Sequence, residues 1–205
     1  MLPSELPEVQ NYPSLRKLLQ VHIDMQVIDI DKILKSGCNL SITALLLNMV
    51  SGISVCFFDV PVNAPMQVFA KGDRGKRFTG LLDRYYPWLG QEALPKVDCI
   101  SLLYHEVRNP LTHGLALDNP ALAAHRIELA TSRLDETQSA ELLNPMVRPR
   151  WLTPTIVDNP TPMEPTKVAV FIPTLYWSVQ RMIRNLFADS TQVAGAEALS
   201  QALFS

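Results

Sequence analysis

Leu102-Leu103-Tyr104-His105-Glu106-Val107-Arg108-Asn109-Pro110-Leu111-Thr112-His113-Gly114 begins as a helix and ends as a turn. Val97, Ile100, Tyr104 and Val107 recur at helical spacing with Leu103 beside them, which predicts one apolar face. Asp98, Ser101, His105 and Arg108 repeat at the same spacing on another face. Proline disfavours α geometry in the residue before it, so the helix is expected to stop at Asn109. His113 then falls in a short irregular segment. A fixed guanidinium with an imidazole close by suits chemistry on a phosphate, because the first meets charge and the second moves a proton near neutral pH. The same residues also have a plain structural account. An arginine in a last turn suits the helix dipole, Asn-Pro is a helix stop, and His-Gly is an ordinary turn pair.

Around this stretch lies a chain of 205 residues, 47% apolar and 19% charged. That composition is globular and fits one domain with an elaboration. A net charge of −2 argues against a protein that coats nucleic acid nonspecifically. Cys38, Cys56 and Cys99 are scattered and carry no C-x-x-C, which reads as reduced core thiols in a cytoplasmic protein. Glu5 and Glu8 stand where a secretory signal would be basic.

Residues 1–13 hold three prolines and read as a loose arm. Ser14 is the expected N-cap of a helix over about 14–36, with Leu15, Leu18, Leu19, His22, Met25 and Gln26 on one face. His22 reads as a hydrogen-bonded packing histidine. Leu40 to Phe58 carries no charge and is apolar on nearly all sides. It reads as a central helix buried all round, capped by Asn39 or Ser41, rather than as a membrane span. Its small polar residues suit close helix approach at an oligomer interface.

A loop from Asp59 to Gly75 follows, then a short helix with Phe78, Leu81, Leu82 and Tyr85 on one face. Tyr86 and Trp88 are expected to pack rather than stack on bases. Arg126–Leu129, Trp151–Val157 and Lys167–Ile172 are β-rich, and residues 144–173 hold seven of the sixteen prolines. This predicts a small β-hairpin insertion, within about 125–172, before the last long helix. That helix, over about 174–188, carries Leu175, Val179, Met182, Ile183 and Leu186 as its stripe. Residues 191–205 are expected to hold a short C-terminal helix. The fold class is therefore mainly α, with a single domain over 14–190.

Lys71, Arg74, Lys76 and Arg77 cluster in the loop and helix start after Pro65, and Arg181 and Arg184 lie on one face of the last long helix. Both sets are candidate contacts to an RNA backbone, against the alternative of solvated faces. Gly72 to Arg77 lacks the spacing and the Ser/Thr of a phosphate loop. No H-E-x-x-H, no Cys/His zinc spacing and no dinucleotide glycine pattern is present. No metal and no cofactor is expected.

The run Arg108-Asn109-Pro110-Leu111-Thr112-His113, following Tyr104 on an amphipathic helix, resembles the R-x4–6-H motif of the HEPN superfamily. The resemblance implies a bundle of four to five helices that forms a homodimer. It also implies a metal-independent endoribonuclease, of the kind found in toxin–antitoxin and defence systems, with RNA as substrate and a cognate antitoxin or other protein as partner. On this reading Arg108 and His113 form the catalytic pair and Asn109 supports them. His105, one turn before Arg108, is the alternative base. Some toxin members carry a tyrosine two residues after the histidine, where this chain has Leu115. Two other readings stand beside it: a non-catalytic dimeric module that binds a protein or small ligand, and a structural protein in which Arg108 and His113 are only cap and turn.

Overall fold

The computed structural model describes the chain apart from residues 35, 71, 92–93, 114–124, 131–133 and 164–165 and the side chain of residue 113. The protein is mainly helical with a small sheet. α1 (Pro13–Leu19), a π-helical turn (Gln20–Asp24) and α2 (Met25–Ile33) form one run. α3 (Asn39–Cys56) and α4 (Arg74–Tyr85) follow. α5 (Lys96–Ser101) passes through a π-helical segment (Leu102–Arg108) into α6 (Asn109–His113). β1 (Arg126–Ala130), α7 (Glu136–Leu142), β2 (Ile156–Asp158) and β3 (Lys167–Phe171) come next. α8 (Ile172–Phe187) and α9 (Ser190–Phe204) close the chain.

α3 is the hub, packing on α2, α4, α6, α8 and β1. Ile42, Leu46, Leu47, Met49, Val50 and Ile53 are buried along it. It is long and apolar enough to cross a membrane, with 44% of its length buried within the protein. It is not buried all round, as expected from its composition. Ser41, Asn48 and Gly52 are exposed and Ala44, Leu45, Ser51 and Val55 half-buried, so one stripe opens to solvent. The stripe mixes small, neutral polar and aliphatic groups, none of them charged. The expected cap is also displaced. Cys38 takes the N-cap position, and Asn39 instead donates from Nδ2 to the Leu129 carbonyl on β1.

The first twelve residues are not a loose arm. Two 3-10 turns, Pro3–Glu5 and Pro7–Val9, bury Leu6 and Val9 in the core. The Ser4 hydroxyl and amide donate to buried Asp24. Pro13, not Ser14, opens α1, and the amide of Leu15 is met by the Glu197 carboxylate of α9 at 2.7 Å. A carboxylate at a helix start is favoured by the dipole and by the unpaired amides there. The π turn then shifts the buried face to Ile23, Val27 and Ile30. His22 and Met25, expected inside, are exposed as a result. Cys38 is likewise exposed, while Cys99 is buried.

Pro110 does not end the helix. Within the π segment the Asn109 amide already bonds back to the Tyr104 carbonyl. That wider register relieves the clash between a proline ring and the carbonyl four residues earlier, so the chain continues to His113. The sheet has order β1-β3-β2, with β2 and β3 antiparallel and β1 parallel to β3. The expected hairpin is present and gains β1 as a third strand. α9 is a full fifteen-residue helix rather than a short one, seated on residues after α3.

Gly195 makes that seat possible. A Cβ there would overlap the carbonyl oxygen of Val60, a backbone atom with no freedom to move aside. Gly195→Ala is expected to destabilise the fold by roughly 1–3 kcal/mol, the usual range for overpacking. Gly52, with open space around it, is the contrast: Gly52→Ala should be neutral or stabilising by up to about 1 kcal/mol. Thermal unfolding distinguishes them, and equal melting temperatures would contradict this packing.

Candidate functional site

A cavity of about 400 Å³ lies between α3, α4 and the π segment, lined by Ser51, Gly52, Ser54, Val55, Arg74, Phe78, Tyr104 and Arg108. α6 and α3 run side by side here, with Thr112 donating to Asn48 Oδ1 at 3.3 Å and Arg108 Nε to Ser51 Oγ at 3.2 Å. The open stripe of α3 therefore forms one wall.

Arg108 is half-buried and held from two sides. Ser51 takes its Nε–H, and Nη1 donates to Asn109 Oδ1 at 2.8 Å. Its guanidinium carbon lies 5.7 Å from the centre of the Tyr104 ring. Among the described residues these contacts leave Nη2 and one hydrogen of Nη1 without a partner, donors still available to an anion. Tyr104 packs on Phe78 at 5.2 Å and places its hydroxyl over the first turn of α4. A Cβ at Gly75 would meet that oxygen at 2.8 Å, so glycine is what lets the ring approach. Asp73, at the N-cap of α4, makes no side-chain cap, so side-chain acceptors do not consume the first-turn amides. Arg74 is exposed at the rim. Among the described residues no carboxylate lines the cavity. The Ser51 and Ser54 hydroxyls donate to the Leu47 and Ser51 carbonyls, so the groups that suit an oxyanion such as a phosphate are the two guanidiniums and the phenol.

The basic cluster expected from the sequence is taken apart. Arg77 turns inward to the end of α3, donating to the carbonyls of Ser54 at 2.9 Å, Val55 and Asp59 at 3.4 Å, and Phe58. Partial burial lowers its pKa, and Asp59 and Asp73 pull it back up. Its donors are committed to the end of α3, which makes it a cap for that helix. Lys76 is exposed, 4.0 Å from Asp73, and Lys71 lies outside the described residues. Arg181 and Arg184 line a different cavity, and Trp177 beside them is buried with its indole N–H on the Asn144 carbonyl.

Of the expected catalytic groups, Arg108 lines the cavity, and Asn109 accepts from it without lining the cavity itself. The backbone of His113 closes α6, five residues beyond Arg108, while its side chain lies outside the described residues. Leu115 also lies outside them. His105 is exposed, edge-on to Tyr104 at 4.8 Å, and does not line the cavity. Sequence reasoning missed Ser51, Tyr104 as a wall, and a pair formed by Glu106 and His125. Glu106 accepts from the His125 amide at 2.9 Å and meets its Nδ1 at 3.0 Å, which ties β1 to the π segment. Tyr86 and Trp88 pack on each other at 4.5 Å as expected. Among the described residues no group of three His, Cys, Asp or Glu is placed to hold a metal.

The two neighbouring arginines of α4 should separate by experiment. Arg77→Ala leaves buried carbonyls unmet and is expected to lower stability by roughly 1–3 kcal/mol. Arg74→Ala, at an exposed position, should change it by less than about 0.5 kcal/mol. Chemical denaturation of both variants checks this.

The chain matches no protein-family model, no curated protein and no solved structure.

Proposed function

We propose that this protein is a HEPN-like, metal-independent endoribonuclease of the cytoplasm whose cavity grips one phosphate of an RNA chain. The observation that carries this is the state of Arg108: pinned by Ser51 and Asn109, with Nη2 unpartnered among the described residues in a cavity that holds no described carboxylate. A guanidinium so fixed loses little freedom on binding, which is how preorganised charge stabilises a transition state. Arg108 and His113 share one helical run, separated along its axis by roughly 7.5 Å. An imidazole there takes the proton from a ribose 2′-OH as that oxygen attacks the adjacent phosphorus. Arg108 meets the charge on the non-bridging oxygens, and the 5′-oxygen leaves with a proton taken from solvent water. The products are a 2′,3′-cyclic phosphate and a 5′-OH.

The working form is proposed to be a homodimer paired over the open stripe of α3, where Ser41, Leu45, Asn48 and Gly52 permit close approach. A toxin or defence role, with a protein antitoxin, belongs to the same proposal. A second reading is favoured by one observation: no described residue lining the cavity is a general base. On that reading the site binds a phosphate-bearing ligand and cleaves nothing.

Incubation of the purified chain with mixed RNA, with and without EDTA, tests the proposal. Cleavage indifferent to EDTA is expected. His113→Ala and Arg108→Ala should each reduce it at least about a hundredfold, the usual contribution of a positioned acid–base group or charge donor. Arg108→Lys should rescue poorly, since lysine lacks the planar fork. His105→Ala should leave cleavage intact. RNA bound but never cut would favour the second reading, and neither binding nor cleavage would overturn both. Sedimentation at tens of micromolar should show a dimer, because standard interfaces persist at that concentration.

A further inference from the structure

A second cavity, of about 680 Å³, lies among the first residues of the chain, the loop after α7 and the C-terminal half of α8. Its apolar walls include Leu6, Leu143, Pro145 and Met146, and its polar lining is Arg181 and Arg184 with Asn144, Asn185 and the single carboxylate Glu8. No lining residue is shared with the Arg108 cavity. We propose that it binds a small amphiphilic anion, with the two arginines holding an oxyanion head and the apolar walls holding its body.

The arginines are one turn apart on α8 and both half-buried. Among the described residues neither forms an ion pair with a carboxylate. The side-chain acceptor they do meet is the Met146 sulfur, 3.0 Å from Arg184 Nη1 and 4.0 Å from Arg181 Nη1. A thioether is a weak acceptor, so most of ten guanidinium hydrogens remain spare. The C-terminal end of α8 offers only about half a negative charge. Partial burial lowers the pKa of Arg184, and the like charge of Arg181 lowers it further, against a weaker pull from Glu8. An entering anion relieves that repulsion, and the low local dielectric strengthens the attraction. The volume falls in the range of small-molecule sites, and the walls give a bare inorganic ion nothing. A nucleic acid backbone, polar along its length, would leave those walls uncovered.

The proposal is independent of the nuclease reading. Its test is calorimetric titration of the full chain with decanoate, decyl phosphate, inorganic phosphate and decyltrimethylammonium. Decanoate and decyl phosphate are expected to bind and the other two to bind at least about tenfold more weakly, since charge-assisted bonds and apolar burial are both required. An Arg181→Gln, Arg184→Gln double variant should lose at least about tenfold in affinity for decyl phosphate. Ala140→Trp, which adds bulk to the cavity lining and leaves both arginines, should lose as much, every titration being made in an Arg108→Gln background so that the other cavity contributes no phosphate binding. Equal binding of the decyl cation would overturn the proposal as mere apolar adhesion. Preference for inorganic phosphate over both decyl anions would overturn the amphiphilic class. Unchanged binding by Ala140→Trp would overturn the location.

Discussion

Arg77 meeting the carbonyls at the end of α3 is the contact on which the rest of this structure depends. α3 is charge-free, and its last turn runs into buried Phe57 and Phe58. Carbonyls left unmet in such a place are costly, each by about 1–3 kcal/mol. A side chain from α4 supplies the donors, and this fixes α4 against α3. Asp59, which follows in a left-handed conformation, is then held by Arg84 at 2.9 Å and by Gln192 of α9. One helix end therefore gathers α4 and α9.

With α4 fixed, its first turn faces the π segment across the cavity. The widened register of Leu102–Arg108 does two things there. It lets Pro110 sit inside a helical run, and it brings Arg108 onto Ser51 with Tyr104 one turn behind. π segments carry a stability penalty and recur at functional sites. The cavity is thus the product of a capped helix, a glycine that admits a tyrosine, and a local change of helical pitch.

Much of this was legible in the chain. Phe78, Leu81, Leu82 and Tyr85 read as one face and are one buried face. The stripe on α8 and the strands at 126 and 167 are also where periodicity puts them. Short-range pattern carries such elements because each depends on its own neighbours. What failed depends on partners far along the chain. Ser4 with Asp24, Glu197 with Leu15, and Gly195 with Val60 involve residues whose local sequence says nothing of the other. Arg77 looked like its neighbours Arg74 and Lys76, and only the position of α3 tells them apart. Arg108 and Asn109 were visible from motif spacing, whereas Ser51 became a site residue only when α6 was laid along α3. The first π turn defeated the 3.6-residue count at His22, since a wider turn shifts every later side chain around the axis, and the second defeated the proline rule at Asn109 by carrying the helix past it.

The central claim is that Arg108 is a preorganised phosphate fork. The arginine Nε–Hε signals in a nitrogen-15 spectrum report on it directly. On titration with a short RNA whose 2′-hydroxyls are methylated and so resist cleavage, the Arg108 signal should shift and saturate, with Arg74 following. Arg77, already committed to the carbonyls of α3, should stay where it is. Binding of that RNA with the Arg108 signal unmoved would contradict the account.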